Sequence, residues 1–169
     1  MILKKAYQRR GPAEFGIEQT RDLGPVRVIL EAAGMLVEGL EWPAACYLLA
    51  FRGGTPIGCA GIEPRVDAAL LRSLAVTETM RQQGIGESLV KAARVAAHTR
   101  GARMLYTLTP ASHLGWFTRL GFTPVPLEKV ERALSATFLL DYLKVDQPVA
   151  LNELVPLAID ISGDGVIER

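Results

Sequence analysis

With 169 residues the chain is long enough for one domain to bury a core without a disulfide or a structural metal. A composition of 49% hydrophobic and 22% charged residues excludes a disordered polymer. Nineteen Lys plus Arg against eighteen Asp plus Glu leave a net charge of +1, so no global field gathers nucleic acid or an anionic membrane, and any anion must be held by a local site.

The opening MILKKAYQRR supplies a candidate strand over Ile2–Tyr7. Its charges are not followed by an apolar core, and no later apolar run reaches the roughly 20 residues that span a bilayer, so a soluble, cytoplasmic protein is expected. From Asp22 to Gly34, the residues Leu23, Val26, Ile29, Leu30 and Ala33 recur at helical spacing, and Gly34 closes the helix. Cys46–Arg52 and Pro56–Glu63 are rich in strand formers and are separated by Gly53, Gly54 and Thr55, which predicts a hairpin. Ala69–Val76 adds a third strand to an antiparallel meander. Cys46 and Cys59 sit in apolar runs and read as small buried hydrophobes, not as a staple or a metal pair.

The pattern changes at Thr77. TETMRQQGIGE leads into an alanine-rich helix with Ile85, Leu89, Ala92, Ala93 and Ala96 on one face, ended by Gly101 as a C-cap glycine. A strand over Arg103–Thr109 follows, then a short helix from Ser112 to Arg119 with Ser112 as N-cap, and a turn at Gly121 and Phe122. Beyond Pro124 and Pro126, the spacing of Leu127, Val130, Leu134, Phe138 and Tyr142 predicts one more helix. PVALNELVPLAIDI alternates weakly, and Pro148 and Pro156 place it at a sheet edge or in an extended arm. Residues 126–169 carry four Lys plus Arg against eight Asp plus Glu, which suits either an interface or a solvated last helix. A single domain over residues 1–169 is expected, with 126–169 as its C-terminal helix and arm.

Arg81, Gln82, Gln83, Gly84, Ile85 and Gly86 follow a strand and open a helix. Successive backbone N–H groups there can point at one anion with no Cβ in the way, the helix dipole adds partial positive charge, and Arg81 offers a charge-assisted contact. A dinucleotide-binding fingerprint would need a third glycine where Leu89 stands, and a Walker A loop would need Gly-Lys-Ser or Gly-Lys-Thr. Neither is present.

Arg81–Gly86 resembles at every position the acetyl-CoA signature of the GNAT superfamily: an Arg or Gln, two variable residues, Gly, one variable residue, then Gly or Ala. The likeness extends to the preceding LAV, the following Leu89, the strand ending LTP and the WFTRLGF segment, over roughly residues 46–125. It implies an α/β (α+β) GNAT fold with a mixed central sheet of about six or seven strands and about four helices on its two faces. It also implies acetyl-CoA as cofactor, with Leu74, Ala75 and Val76 offering backbone hydrogen bonds to the pantetheine arm, Gln82–Gly86 holding the pyrophosphate, and Phe117 beside the thiol end. Within the family, ALLRSLAV joined to RMLYTLT and FTRLGF is most similar to the arsenic-resistance and amino-acid N-acetyltransferase branch, and AAGM and EGLEW resemble it too. A homodimer follows by the same analogy.

Amine acetylation needs a neutral amine against the thioester, donors for the oxyanion and a proton route to the departing thiolate. Where many family members carry a base Glu this chain has Leu70, and where many carry an acid Tyr it has Phe117. The alternative is deprotonation through water by Glu63 or Asp67, with Tyr106 or Ser112 as acid. Arg72 interrupts the apolar run Leu70–Val76, and a guanidinium in so buried a strand needs an anion. That anion is either the acidic group of a small amino-acid-like acceptor or an internal Glu63 or Asp67; period-2 alternation puts Arg72 on the side of Leu70 and Leu74 unless a bulge intervenes. His98 reads as solvated and His113 as a capping or surface residue. The expected partner is a small-molecule amine, with no nucleic acid, no membrane and no metal. Two further readings stand beside it: a GNAT-fold module that binds acetyl-CoA without transfer, and a peptide N-terminal acetyltransferase.

Overall fold

The computed structural model describes residues 14–164, so the strand expected over Ile2–Tyr7 lies outside them. In chain order the elements are β1 (Gly16–Thr20), α1 (Gly24–Ala32), β2 (Cys46–Arg52), β3 (Thr55–Pro64), β4 (Ala68–Val76), α2 (Ile85–Thr99), β5 (Met104–Pro110), α3 (Leu114–Arg119), β6 (Thr123–Pro124), α4 (Leu127–Ala133), α5 (Phe138–Val145), α6 (Pro148–Glu153) and β7 (Leu154–Asp160). The strands form one mixed sheet in the order β1-β2-β3-β4-β5-β7-β6. The expected α/β architecture stands, with six α-helices among the described residues rather than four. None of these helices is long and apolar enough to cross a membrane.

The described residues group into two compact units. One takes the chain up to Ile62 together with Ser73–Ala93; the other takes Glu63–Arg72 and the chain from Arg94 onward. In the first, β1 pairs with β2 and β2 with β3, both antiparallel, and Gly53 and Gly54 join β2 to β3 with φ of 56° and 78°. Two successive positive φ values are what a two-residue hairpin loop demands, and glycine supplies them without a Cβ clash. Val26, Ile29 and Leu30 of α1 pack with Leu40, Tyr47, Leu49, Cys59 and Ala75. β1 went unpredicted because its alternation is short: Phe15 and Ile17 are buried and Glu18 is exposed.

In the second unit, β5 pairs in parallel with the start of β4, from Ala68↔Met104 to Leu71↔Thr107, and antiparallel with β7. Ala68, Leu70, Tyr106, Val130, Leu134, Leu140 and Ala158 form its apolar cluster. Two expectations are corrected here. The single helix predicted from Leu127 to Tyr142 is two, because Ala136 turns the chain with φ 62° and the Thr137 N–H and hydroxyl both donate to the Leu134 carbonyl (3.1 and 3.0 Å). Leu134 and Phe138 are four apart, so the sequence keeps its helical spacing across a break that the backbone makes.

The second correction concerns the segment after Pro148. Pro148 starts a helix, where its missing N–H is harmless, and Leu154–Asp160 lies between β5 and β6 rather than at an edge. Pro156 is tolerated there because the N–H and C=O of one residue point to the same side of a strand. Its carbonyl accepts from Val125 N–H at 3.0 Å, so the missing donor faces the short β6 and the β5 ladder loses nothing.

A Cβ at Gly58 would lie 3.0 Å from the Ala75 carbonyl oxygen and 3.1 Å from Leu89 Cδ1. Gly58→Ala should therefore lower stability by roughly 1–3 kcal/mol, seen as a lower urea midpoint. An unchanged midpoint would mean that β3, β4 and α2 are not packed this closely.

Candidate active site

The glycine-bearing turn is built as the sequence suggested. After β4 the chain makes a single 3-10 turn over Glu78–Met80, then Gln82 and Gly84 take φ of 61° and 79° before α2 begins at Ile85. The Ser88 N–H bonds to the Gly84 carbonyl at 3.1 Å, so the amides of Ile85 and Gly86 have no carbonyl one turn earlier to meet. The 15-residue α2 is anchored by buried Ile85, Leu89, Val90 and Ala93, which fixes the direction in which those amides point. Arg81 is exposed, and its Nε donates to the Val76 carbonyl at 3.1 Å. That bond ties the first residue of the turn to the last residue of β4.

Within β4, Ser73 has φ 55°, a left-handed value rare for a non-glycine residue. It breaks the two-residue alternation, so the parity linking Arg72 to Leu74 does not hold across it. Cys59 secures the distortion: its thiol donates to the Ser73 carbonyl at 3.3 Å, and the Ala75 N–H bonds to its sulfur. Burial pushes the thiol from the usual 9.0 up to about 12, with the Ala75 hydrogen bond opposing in part. Cys46 is also buried and joins no disulfide among the described residues, so both cysteines are the small hydrophobes expected.

Arg72 stays on the Leu70 side and meets an internal anion. Its Nη1 lies 2.9 Å from Glu63 Oε1, and the two side chains are 2% and 1% exposed. The other carboxylate oxygen of Glu63 accepts the Leu139 N–H at 3.2 Å, and the Arg72 guanidinium lies 5.5 Å from the centroid of the Phe138 ring. Glu63 thus caps the first turn of α5 from another element, since Thr137 makes no side-chain cap. Of the two anions open to Arg72 in the sequence, the structure pairs it with Glu63.

The family model "Acetyltransferase (GNAT) domain" matches residues 43–124. The chain is therefore similar to GNAT acetyltransferases over this segment. An uncharacterized N-acetyltransferase of Chlorobaculum tepidum is 36% identical over 83 residues, 48% of this chain; the chain spans about half, 52%, of that relative. Among solved structures, the N-acetylglutamate synthase of Neisseria gonorrhoeae complexed with coenzyme A and N-acetyl-glutamate has a TM-score of 0.68 at 21% identity, over 89% of this chain and 36% of that one. A GNAT family acetyltransferase from Elizabethkingia anophelis with acetyl-CoA bound has a TM-score of 0.64 at 19% identity, over 86% and 97%. At these identities the structural likeness shows the fold.

The remaining candidates fall into different settings. Leu74 and Val76 are half-buried on either side of buried Ala75. Phe117 is buried and packs edge-on against Trp116 (4.9 Å) and Phe122 (5.3 Å). Tyr106 is buried in the apolar cluster beside Leu70, where burial first and the Asp67 charge second raise its pKa. Ser112 is exposed in a 3-10 turn before α3 and caps nothing; the residue at the cap is His113, without a side-chain bond.

Sequence reasoning missed Arg52, Gly58 and the reach of Leu139 to Glu63. A lone glycine inside a strand pattern is a sign of close backbone approach, so Gly58 was open to detection. The other two depend on contacts between distant segments.

Arg72→Ala should cost roughly 3–5 kcal/mol, because it strands a buried carboxylate, and replacing both Arg72 and Glu63 by Met should recover most of that loss. A double variant no more stable than Arg72→Ala would show that the pair is not the source. For Cys59, folding favours the protonated thiol. Its contribution is therefore complete below about pH 9 and is lost as pH rises toward about 12. Urea midpoints of the wild type should fall relative to Cys59→Ala across that alkaline range and run parallel to it below.

Proposed function

We propose that the chain is an acetyl-CoA-dependent N-acetyltransferase acting on the primary amine of a small molecule by direct transfer. The observation that carries this reading is the turn Gln82–Gly86, where two left-handed residues precede a 15-residue helix whose first amides have no partner within the helix. That donor set suits a diphosphate: backbone N–H groups, a helix N-terminus and Arg81 alongside. Acetyl-CoA supplies an activated thioester when bound. Leu74, Ala75 and Val76 would offer backbone groups to its pantetheine arm, and the family resemblance assigns Phe117 to its thiol end.

For the acceptor we propose an amine that also carries an acidic group, in keeping with the arsenic-resistance and amino-acid N-acetyltransferase branch. Support comes from Arg72, a fully buried cation on β4, and from the shared fold of an N-acetylglutamate synthase complexed with an acetylated amino acid. The Glu63 partnership makes Arg72 a poised cation rather than a vacant one, so an acidic acceptor would have to share or displace Glu63. Both oxygens of Glu63 are already engaged, one by Arg72 and one by the Leu139 N–H. Removal of the amine proton then falls to water near Asp67, with Tyr106 or Ser112 as the group facing the thiolate.

Leu70 and Phe117, standing where many family members have Glu and Tyr, favour a second reading, a module that binds acetyl-CoA without turnover. Titration calorimetry with acetyl-CoA, followed by thiol release over an amine panel that begins with acidic amino acids and their phosphorus or arsenic analogues, separates the two. Release with one acceptor supports the enzyme; tight binding with none supports the module. Gly84→Val combined with Gly86→Val should weaken acetyl-CoA binding by at least about tenfold, the loss of one or two charge-assisted hydrogen bonds. Undiminished affinity in that variant would remove the turn from the site.

A further inference from the structure

Arg52, the last residue of β2, is half-buried and makes an unusual set of contacts. Its Nη2 donates to Gln83 Oε1 at 3.0 Å, its Nη1 lies 3.0 Å from Met80 Sδ, and its Nε is buried without a partner among the described residues. Gln83 in turn donates to the Thr79 carbonyl at 3.4 Å, so one guanidinium grips the turn from Met80 to Gln83. Two other arginines drawn from the surface meet carboxylates, Arg72 with Glu63 and Arg94 with Asp164 at 2.7 and 2.8 Å, while half-buried Arg100 donates to the Ala96 carbonyl at 2.8 Å. Arg52 joins no ion pair among the described residues.

Removing a guanidinium from water is costly unless an anion compensates, and an amide oxygen and a thioether are neutral and in part weak acceptors. Among the described residues, no carboxylate pairs with this guanidinium, which contacts the turn leading to Gly84, Ile85 and Gly86. We propose that Arg52 is a positioning residue for the cofactor's diphosphate: it shapes the turn through Met80 and Gln83, and its charge is balanced when the phosphates dock on the amides above it. This rests on the reading of that turn as the acetyl-CoA site. It adds a residue from another strand, 31 positions before Gln83, that the Arg81–Gly86 pattern does not contain.

The test is titration calorimetry of the full chain with acetyl-CoA at low and high salt, with steady-state kinetics alongside. Arg52→Met should weaken binding roughly 10- to 100-fold and flatten its salt dependence, raising KM for acetyl-CoA while kcat and the acceptor's KM hold. Arg52→Lys keeps the charge and should recover part of the affinity. Wild-type affinity in Arg52→Met, or equal losses in the Met and Lys variants with a matching drop in Tm, would overturn the assignment. If the wild type fails to bind acetyl-CoA, the reading of the turn falls and Arg52's role with it; if only the Arg52 variants behave as wild type, the turn stands and Arg52 alone is excluded.

Discussion

One left-handed residue in the middle of β4 organises the rest. Ser73, with φ 55°, sits in a conformation that costs an L-residue roughly 1–2 kcal/mol, and the surroundings hold it there. The Cys59 thiol donates to its carbonyl, the Ala75 amide bonds to the same sulfur, and the bare Cα of Gly58 lets the Ala75 carbonyl close in. Before Ser73 the strand presents Leu70 and Arg72 to one side; after it, the backbone of Leu74–Val76 is rotated out of that alternation. A single strand thus holds a charged pair with its first half and, in the proposed function, would offer backbone groups to the cofactor with its second.

Two arginines, buried Arg72 and half-buried Arg52, illustrate how charge is managed. Arg72 is neutralised inside the protein by Glu63, and the Glu63 carboxylate also satisfies the start of α5, so the pair acts as an internal fastening. Among the described residues, Arg52 is held by neutral groups. In a chain whose formal charge is +1, the proposed anion site would draw on this local imbalance, not on the overall field.

Much of this was legible in the chain itself where the signal was local. The β2 boundaries, the Gly53–Gly54 hairpin, the helix after Gly84 and its end at Gly101, which has φ 94°, all follow from period and punctuation. What escaped was decided by contacts. A bulge at a serine carries no sequence mark, because nothing about Ser73 says that Cys59 will hold its carbonyl. Leu127 to Tyr142 keeps a helical period through a left-handed alanine, and Pro156 looks like an edge signal until its empty side is found to face a two-residue neighbour. Arg72 was recognised as a cation in need of an anion, but only the fold could choose Glu63 among its alternatives.

The placement of Pro156 has an effect beyond local hydrogen bonding. At that margin of the sheet, two-residue β6 carries Pro124 and its partner β7 lacks a donor on the same side. A foreign strand arriving there finds a short ladder with missing rungs and little to pair with. The proline that obscures β7 in the sequence thereby guards the molecule against edge-to-edge aggregation.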